Sequence, residues 1–399
     1  MLQTNWKIGS ILGIPLFLDP LWFIFLGLVS LNFSLSYHAW GTVTAVSAGF
    51  FLALSLFACV LLHELGHSIV AQSQGIKVNS ITLFLFGGIA TIESESKTPL
   101  TAFQVAIAGP AVSFILFLVL RLVSAWMNQT SLISIMLGDL AQINLVVAAF
   151  NLIPGLPLDG GQILKAAIWK VTGDRFRAVH LAAKAGELLG YGAIAWGFLI
   201  DFFSQELVTG LWIVILGWFC TRTAKNYDRV TTMQETLLNL AASTAMTRDF
   251  RVVEGNQTLR QFADLYLLAT SAPQAFFAAS DGRYLGMVKI DDLRTVERSQ
   301  WESQTLANIV HPLSTIPTVT ESTSLGMVIN KLENEQLSYI TVLTPADAVA
   351  GVIDRGDILR AIAQKLNLRL TDAEIKQVKE EGKYPSGLQL GIIAKSVET

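Results

Sequence analysis

Charge is scarce in this 399-residue sequence: Lys, Arg, Asp and Glu make up 15% of it, against about 25% in ordinary soluble domains. Hydrophobic residues supply 52% and the mean hydropathy is +0.50. That balance excludes a simple soluble globule and points to a membrane protein. The net charge is −3 and no block of Lys and Arg occurs, so nothing is built to neutralise a nucleic-acid backbone. Cysteine is nearly absent. Cys59 and Cys220 both lie in apolar segments, which excludes a disulfide framework and a thiolate zinc site; both read as small buried hydrophobes. One lysine, Lys7, and no small-residue cleavage site precede the first apolar run. That run is expected to stay as a span, not to leave as a signal peptide.

The charge that is present lies mostly after residue 220, so a membrane half followed by a soluble half is expected. Apolar stretches near 13–35, 43–71, 102–127, 132–153, 185–203 and 206–221 approach the roughly 20 residues that a bilayer-crossing helix needs. Asp139, Asn144 and Asn151 interrupt the fourth, for which a buried amphipathic helix is the alternative. Lys7, Lys77, Lys97, Lys165, Lys170, Arg175, Arg177, Lys184, Arg222, Lys225 and Arg229 fall on one side of a six-span arrangement. The opposite loops, SYHAWG, NQTSLIS and DFFSQE, carry no Lys or Arg; only Arg121 runs against the pattern. The positive-inside bias then puts both termini in the cytoplasm. Between the second and third spans, VNSITLFLFGGIATIES (78–94) interleaves Ser80, Thr82, Phe84 and Phe86 with Ile81, Leu83 and Leu85 before Gly87-Gly88. A small membrane-associated hairpin is expected there, its backbone shielded by protein or lining a wet cavity.

After residue 230 the sequence repeats. RYLGMVKIDDLRTV and AVAGVIDRGDILRAI align Gly286 with Gly351 and Asp292 with Asp357, and Met246 aligns with His311 at the same 65-residue offset. One offset held over the whole unit indicates a duplicated module. The expected organisation is a membrane domain over 1–225, repeats over 240–300 and 305–366, and a polar, marginally ordered tail over 367–399.

The chemistry concentrates in VLLHELGHSI (60–69). His63 and His67 are four apart, so a helix stacks them on one face, where two neutral imidazoles can grip one Zn²⁺. Glu64 stands beside the first, placed to take a proton from water activated by the metal. H-E-x-x-H alone occurs by chance in many proteins. Inside an apolar span it is sharper, because ionisable groups there cost a few kcal/mol, that is, about 2.5–3.5 on insertion scales. A catalytic zinc usually takes a third protein ligand, and the motif does not contain it. His38, His180 and His311 are poor candidates, lying in an external loop, an amphipathic stretch and the distal repeat. Asp159 in NLIPGLPLDGG (151–161) is better, since Pro154, Gly155 and Pro157 must break the fourth span just before it. A plain polar turn at the membrane exit is the competing reading of that stretch.

HELGH in one span and NLIPGLPLDGG in a later one closely resemble the site-2 protease family of intramembrane zinc metalloproteases, peptidase family M50. FGGIA (86–90) and AGP (108–110) resemble that family's intervening motifs. The resemblance covers about residues 10–220. It implies His63, His67 and Asp159 as ligands of one zinc, Glu64 as catalytic base, and Asn151 near the oxyanion or substrate backbone, where an amide could donate to developing negative charge. It also implies that the 78–94 hairpin offers an edge to which an unwound substrate adds as a strand. No PDZ-like insertion separates the motifs, and the two repeats resemble CBS modules, so the chain looks closest to the branch with a C-terminal CBS pair. In such pairs an aspartate often contacts the ribose of an adenine nucleotide, which singles out Asp292 and Asp357. The Ser or Thr usual three positions earlier is replaced by Lys289 and Asp354, and Asp354 would repel a phosphate. A purely structural or homodimerising pair is the alternative.

The expected fold is therefore a polytopic α-helical membrane domain of about six transmembrane helices with a small β-hairpin, followed by an α/β tandem CBS pair. The expected activity is zinc-dependent endoproteolysis of transmembrane protein substrates in a bacterial-type cell membrane, with the CBS pair cytoplasmic and regulatory. A proteolytically inert membrane sensor with a structural metal is the main alternative, against which an intact Glu64 counts. A metal transporter is a third, and Glu187 would be its residue to test.

Overall fold

The computed structural model describes residues 5–84, 87–92, 96–204, 207–267, 275–385 and 387–398. It divides into two compact units, Met1–Thr231 and Thr232–Thr399.

The first unit opens with strands, not with a span. β1 (Trp6–Ile11) runs antiparallel to β2 (Ile14–Leu18). Leu12 and Gly13 join them with φ of 52° and 79°, and paired positive φ values suit the tightest hairpin loops. The apolar stretch expected near 13–35 is thus divided: its first residues are β2, and α1 covers only Leu21–Ser36. Counting apolar residues cannot distinguish a buried strand from the start of a helix. After α2 (Thr42–Ser73), β3 (Val78–Phe84) pairs parallel with β2 and antiparallel with β4 (Gly87–Ile92). The expected hairpin is present, inside a four-stranded sheet ordered β1-β2-β3-β4. Leu85, Phe86 of FGGIA, and residues 93–94 of the expected hairpin lie outside the described residues.

The remaining helices of this unit are α3 (Pro99–Trp126), α4 (Leu132–Asn151), α5 (Asp159–Thr172) and α6 (Arg175–Ser204), with α7 (Leu207–Asn239) carrying the chain across the unit boundary. α3 begins at a capping box between Thr98 and Thr101, with Pro99 at its first position, where the missing N–H is not needed. α2, α3, α4 and α6 are long and apolar enough to cross a membrane, and α1 is a shorter apolar helix. Val43 is 82% exposed, Trp126 90% and Phe202 78%, surfaces that lipid accepts and water penalises. The polar residues of α4 are satisfied. Tyr37 donates to Asp139 at 2.5 Å, and the Asn144 amide donates to the Leu140 carbonyl at 2.8 Å, so this helix keeps its polar groups without leaving the apolar layer.

The second unit realises the 65-residue repeat. β5 (Phe250–Glu254) is parallel to β6 (Ala275–Ser280), which is antiparallel to β7 (Arg283–Val288). β8 (Thr318–Thr320), β9 (Tyr339–Leu343) and β10 (Val349–Asp354) repeat that pattern. The short α8 (Ala242–Ala245), α9 (Leu259–Phe262) and α10 (Ile290–Leu293) precede α11 (Leu325–Asn334) and α12 (Arg355–Lys365). The lead-in to each repeat pairs with the last strand of the other: Thr247 bridges Val352, and His311 bridges Met287. Neither repeat is complete alone.

The expected loose tail is instead two helices, α13 (Asp372–Glu381) and α14 (Leu390–Glu398). Val378, Leu390 and Ala394 are buried in one cluster with Leu325, Val328 and Ile362, so a few well-spaced apolar residues dock a segment whose average composition is polar. α13 also places Lys379 Nζ 2.9 Å from both Asp354 and Asp357. Burial pushes the Asp357 carboxyl up, with the Lys379 hydrogen bond pulling the other way. Burial would lower the Lys379 ammonium, but hydrogen bonds to both carboxylates hold it above the usual lysine value. Its contribution to stability is therefore complete below that ordinary value and is lost only as pH rises through the higher folded one. Lys379→Met is expected to cost about 3 kcal/mol near neutrality, because it leaves two buried carboxylates without their ammonium. The loss should shrink as pH falls and Asp357 protonates. Amide exchange across 372–381 in the full-length protein measures both effects.

Candidate metal centre

α2 stacks His63 and His67 one turn apart, His63 being 5% exposed. The third member comes from a break in the helical layer. α4 ends at Asn151, and Pro154, Gly155 and a cis Leu156–Pro157 bond turn the chain before α5 starts at Asp159. Leu156 is fully buried, and its N–H donates to the Ala182 carbonyl of α6 at 3.2 Å, which pins the turn and gives Asp159 a fixed backbone. His63 Nε2 lies 3.1 Å from one Asp159 oxygen, His67 Nε2 3.3 Å from the other, and the two Nε2 atoms are 3.3 Å apart. Among the described residues this is the group of His, Cys, Asp and Glu that could hold a metal ion.

The spacing fits zinc. Ligands about 2.0–2.1 Å from a tetrahedral Zn²⁺ stand about 3.3 Å from one another, as these three do. Two neutral imidazole nitrogens at that distance cannot satisfy one another if both present lone pairs, whereas a shared cation satisfies both. The far nitrogens support that arrangement. His67 Nδ1 lies 2.7 Å from the Val105 carbonyl and His63 Nδ1 3.0 Å from Ser113 Oγ. A carbonyl only accepts, so His67 carries a proton on Nδ1, and in the neutral ring that leaves the Nε2 lone pair for a metal.

Val105, Gly109 and Ser113 recur at intervals of four along α3 and form the seat for both rings. A Cβ on Gly109 would lie 2.2 Å from His67 Nε2 and 2.6 Å from His63 Nε2. The glycine of AGP is thus required by the approach of two imidazoles. Glu64, the next residue to His63, meets the sheet: a Cβ on Gly88 of β4 would fall 2.4 Å from its Cγ and 3.1 Å from Oε1. Strand β4 therefore runs with its backbone against the carboxylate expected to act as base.

His63, His67 and Asp159 come together as expected, with Glu64 beside them on α2. Asn151 is half-buried at the end of α4, at the start of the turn that delivers Asp159. The rejected histidines are elsewhere: His38 bonds the Leu35 carbonyl, His180 pairs with Asp228 at 2.6 Å, and His311 with Asp292 at 2.7 Å. In the second unit, the Asp292 side chain is 28% exposed while that of Asp357 is fully buried beneath Lys379 and Arg360. Ser113 and Lys379 were not among the residues expected from sequence. A serine amid the apolar residues of a span was a signal for the first; nothing in local sequence marked the second.

The peptidase family M50 model matches residues 51–140 and 127–189, and the CBS domain model matches 308–364. The chain is 36% identical over 365 residues to a protein of Synechocystis sp. named as a zinc metalloprotease, covering 90% of this chain and 96% of that one. It is 33% identical over 313 residues to a protein of Mycobacterium tuberculosis named as the zinc metalloprotease Rip3, covering 78% and 79%. The solved structure of a site-2 protease from Methanocaldococcus jannaschii aligns at 29% identity and a TM-score of 0.41, over 56% of this chain and 95% of that one.

Two glycine substitutions separate the parts of this site. Gly109→Ala should displace both imidazoles and abolish stoichiometric zinc in the purified protein, measured by elemental analysis. Gly88→Ala should crowd Glu64 alone and leave the zinc content intact.

Proposed function

This chain belongs to peptidase family M50, the site-2-protease-like zinc metalloproteases, and carries a CBS domain; from that premise we propose that it cleaves transmembrane segments of membrane-anchored proteins near the cytoplasmic leaflet. The single observation that carries this reading is the joint placement of Glu64 beside a three-ligand group set among apolar helices. A metal held only for structure has no use for a base at its edge.

His63, His67 and Asp159 would hold one zinc ion, which when bound supplies Lewis acidity to a water and to the scissile carbonyl. The chain's own residues do the rest. The Glu64 carboxylate takes a proton from the attacking water and returns it to the departing nitrogen. The Asn151 side-chain amide donates a hydrogen bond to the oxyanion that develops on the carbonyl. Among the described residues β4 pairs with β3 alone, which leaves its other edge open next to Glu64. A substrate helix hides its peptide bonds in internal hydrogen bonds, so it must be unwound, and pairing with that edge would hold it extended. The lack of side chains at Gly87 and Gly88 lets such a strand come close to the carboxylate.

The loop-charge bias favours a cytoplasmic second unit. There the CBS pair would bind an adenine nucleotide and regulate proteolysis, with Asp292 as the ribose contact. Asp292 is the accessible one of the two equivalent aspartates, whereas Asp357 is already held by Lys379.

Glu64→Gln should retain zinc yet lower cleavage by at least about 100-fold, the low end for loss of a positioned base. Comparing membrane-protein fragments in cells that carry wild-type or Glu64→Gln protein checks this; fragments unchanged by the substitution would sink the reading. Titration of the full-length protein with ATP, ADP and AMP should show saturable binding that Asp292→Asn abolishes. No saturation at millimolar ligand would dispose of the nucleotide site and leave the protease reading untouched.

A further inference from the structure

The two histidines of the metal group are held by different means. His67 leans on a backbone carbonyl, which no substitution at Val105 removes. His63 leans on a side chain, that of Ser113 on α3.

Ser113 departs from a pattern that five other helical hydroxyls of this protein follow. Ser30, Ser34, Ser47, Ser68 and Thr221 each donate to the carbonyl four residues earlier, the usual way for a hydroxyl to be satisfied inside an apolar helix. Ser113 is 1% exposed, and among the described residues its side chain makes one hydrogen bond, 3.0 Å to His63 Nδ1. Ser124, also buried on α3, leaves its own helix too, but for Ser134 of the neighbouring α4. The Ser113 hydroxyl is spent on the imidazole.

The direction of that bond matters. If the hydroxyl accepts, Nδ1 carries the proton and the lone pair lies on Nε2, facing Asp159 and His67. If it donates, Nε2 carries the proton and the ring is useless as a ligand at that atom. Asp159 lies 3.1 Å from the same Nε2, and in the absence of a cation its carboxylate would favour the second, wrong arrangement by accepting that proton. A metal that takes the Nε2 lone pair moves the proton to Nδ1, and the Ser113 hydroxyl is placed to accept it there.

We infer that Ser113 is a positioning residue for His63: its hydroxyl holds the ring in place and accepts the Nδ1–H of the tautomer that presents Nε2 to the metal. This rests on the zinc reading above and adds to it the residue that tunes the weaker-held ligand. Partners of metal-bound histidines typically change metal affinity by about 10–100-fold when removed.

The experiment measures zinc affinity of the full-length protein in detergent, by competition with a chromophoric chelator, and the visible spectrum of the cobalt-substituted form. Ser113→Ala should weaken zinc by about 10–100-fold and alter the cobalt spectrum, while Ser113→Thr, which keeps the hydroxyl, should lie closer to wild type. Ser124→Ala is the control, because Ser124 is equally buried on α3 but bonds Ser134. Equal affinity and spectra for Ser113→Ala and wild type would overturn the inference, as would an equal loss in Ser124→Ala, which would mean general loosening of the helix. A wild-type protein without stoichiometric zinc would instead sink the proposed function, and this inference with it.

Discussion

Two imidazole nitrogens 3.3 Å apart and a carboxylate within 3.3 Å of each make a group whose members need a shared cation, in an interior that screens charge poorly. The helical layer is arranged around that demand. α3 omits a side chain at Gly109 so that both rings can approach, and supplies Val105 and Ser113 to hold their far nitrogens. The turn after α4 is clamped to α6 through Leu156, so that Asp159 arrives from a rigid backbone. Helix, glycine and broken turn are three answers to one electrostatic problem.

In the proposed cleavage the same turn and the small sheet would serve the peptide. Irregular backbone within an apolar layer survives only where protein covers it or a wet cavity receives it. The chain uses such backbone twice near Glu64: at the 152–158 turn and along the β4 edge. Under the proposed function both would be needed, one to fix a ligand and the other to hold an unwound strand. Gly88 is where these needs meet, since its missing side chain makes room for Glu64.

In the second unit, duplication has produced equivalent backbones and unequal chemistry. The lead-in segments are exchanged, Thr247 bridging Val352 and His311 bridging Met287, so the two repeats form one folding unit. Their aspartates have diverged. Asp292 faces His311 and remains accessible, whereas Asp357 is sealed under an ammonium brought by a helix that lies outside the repeat. A site defined by alignment of the two copies is thus modified by a segment that belongs to neither.

Much was legible in the residues because it depends on short-range periodicity and composition. HELGH places its histidines on one face by helical spacing alone, proline and glycine announce the break before Asp159, and a constant offset reveals the repeat. The division of the first apolar stretch into β2 and α1 was not legible, since a buried strand and a helix start share the same apolar composition and only pairing with β1 and β3 separates them. Nor was the docking of the tail, where Val378, Leu390 and Ala394 count only once a complementary core exists to receive them. Sequence by itself nominated the groups that could bind a metal and marked the backbone that must break. Tertiary structure decided which nitrogen faces inward, which serine turns from its own helix to hold it, and which aspartate is covered, because hydrogen-bond direction and burial are properties of atoms brought together from distant parts of the chain.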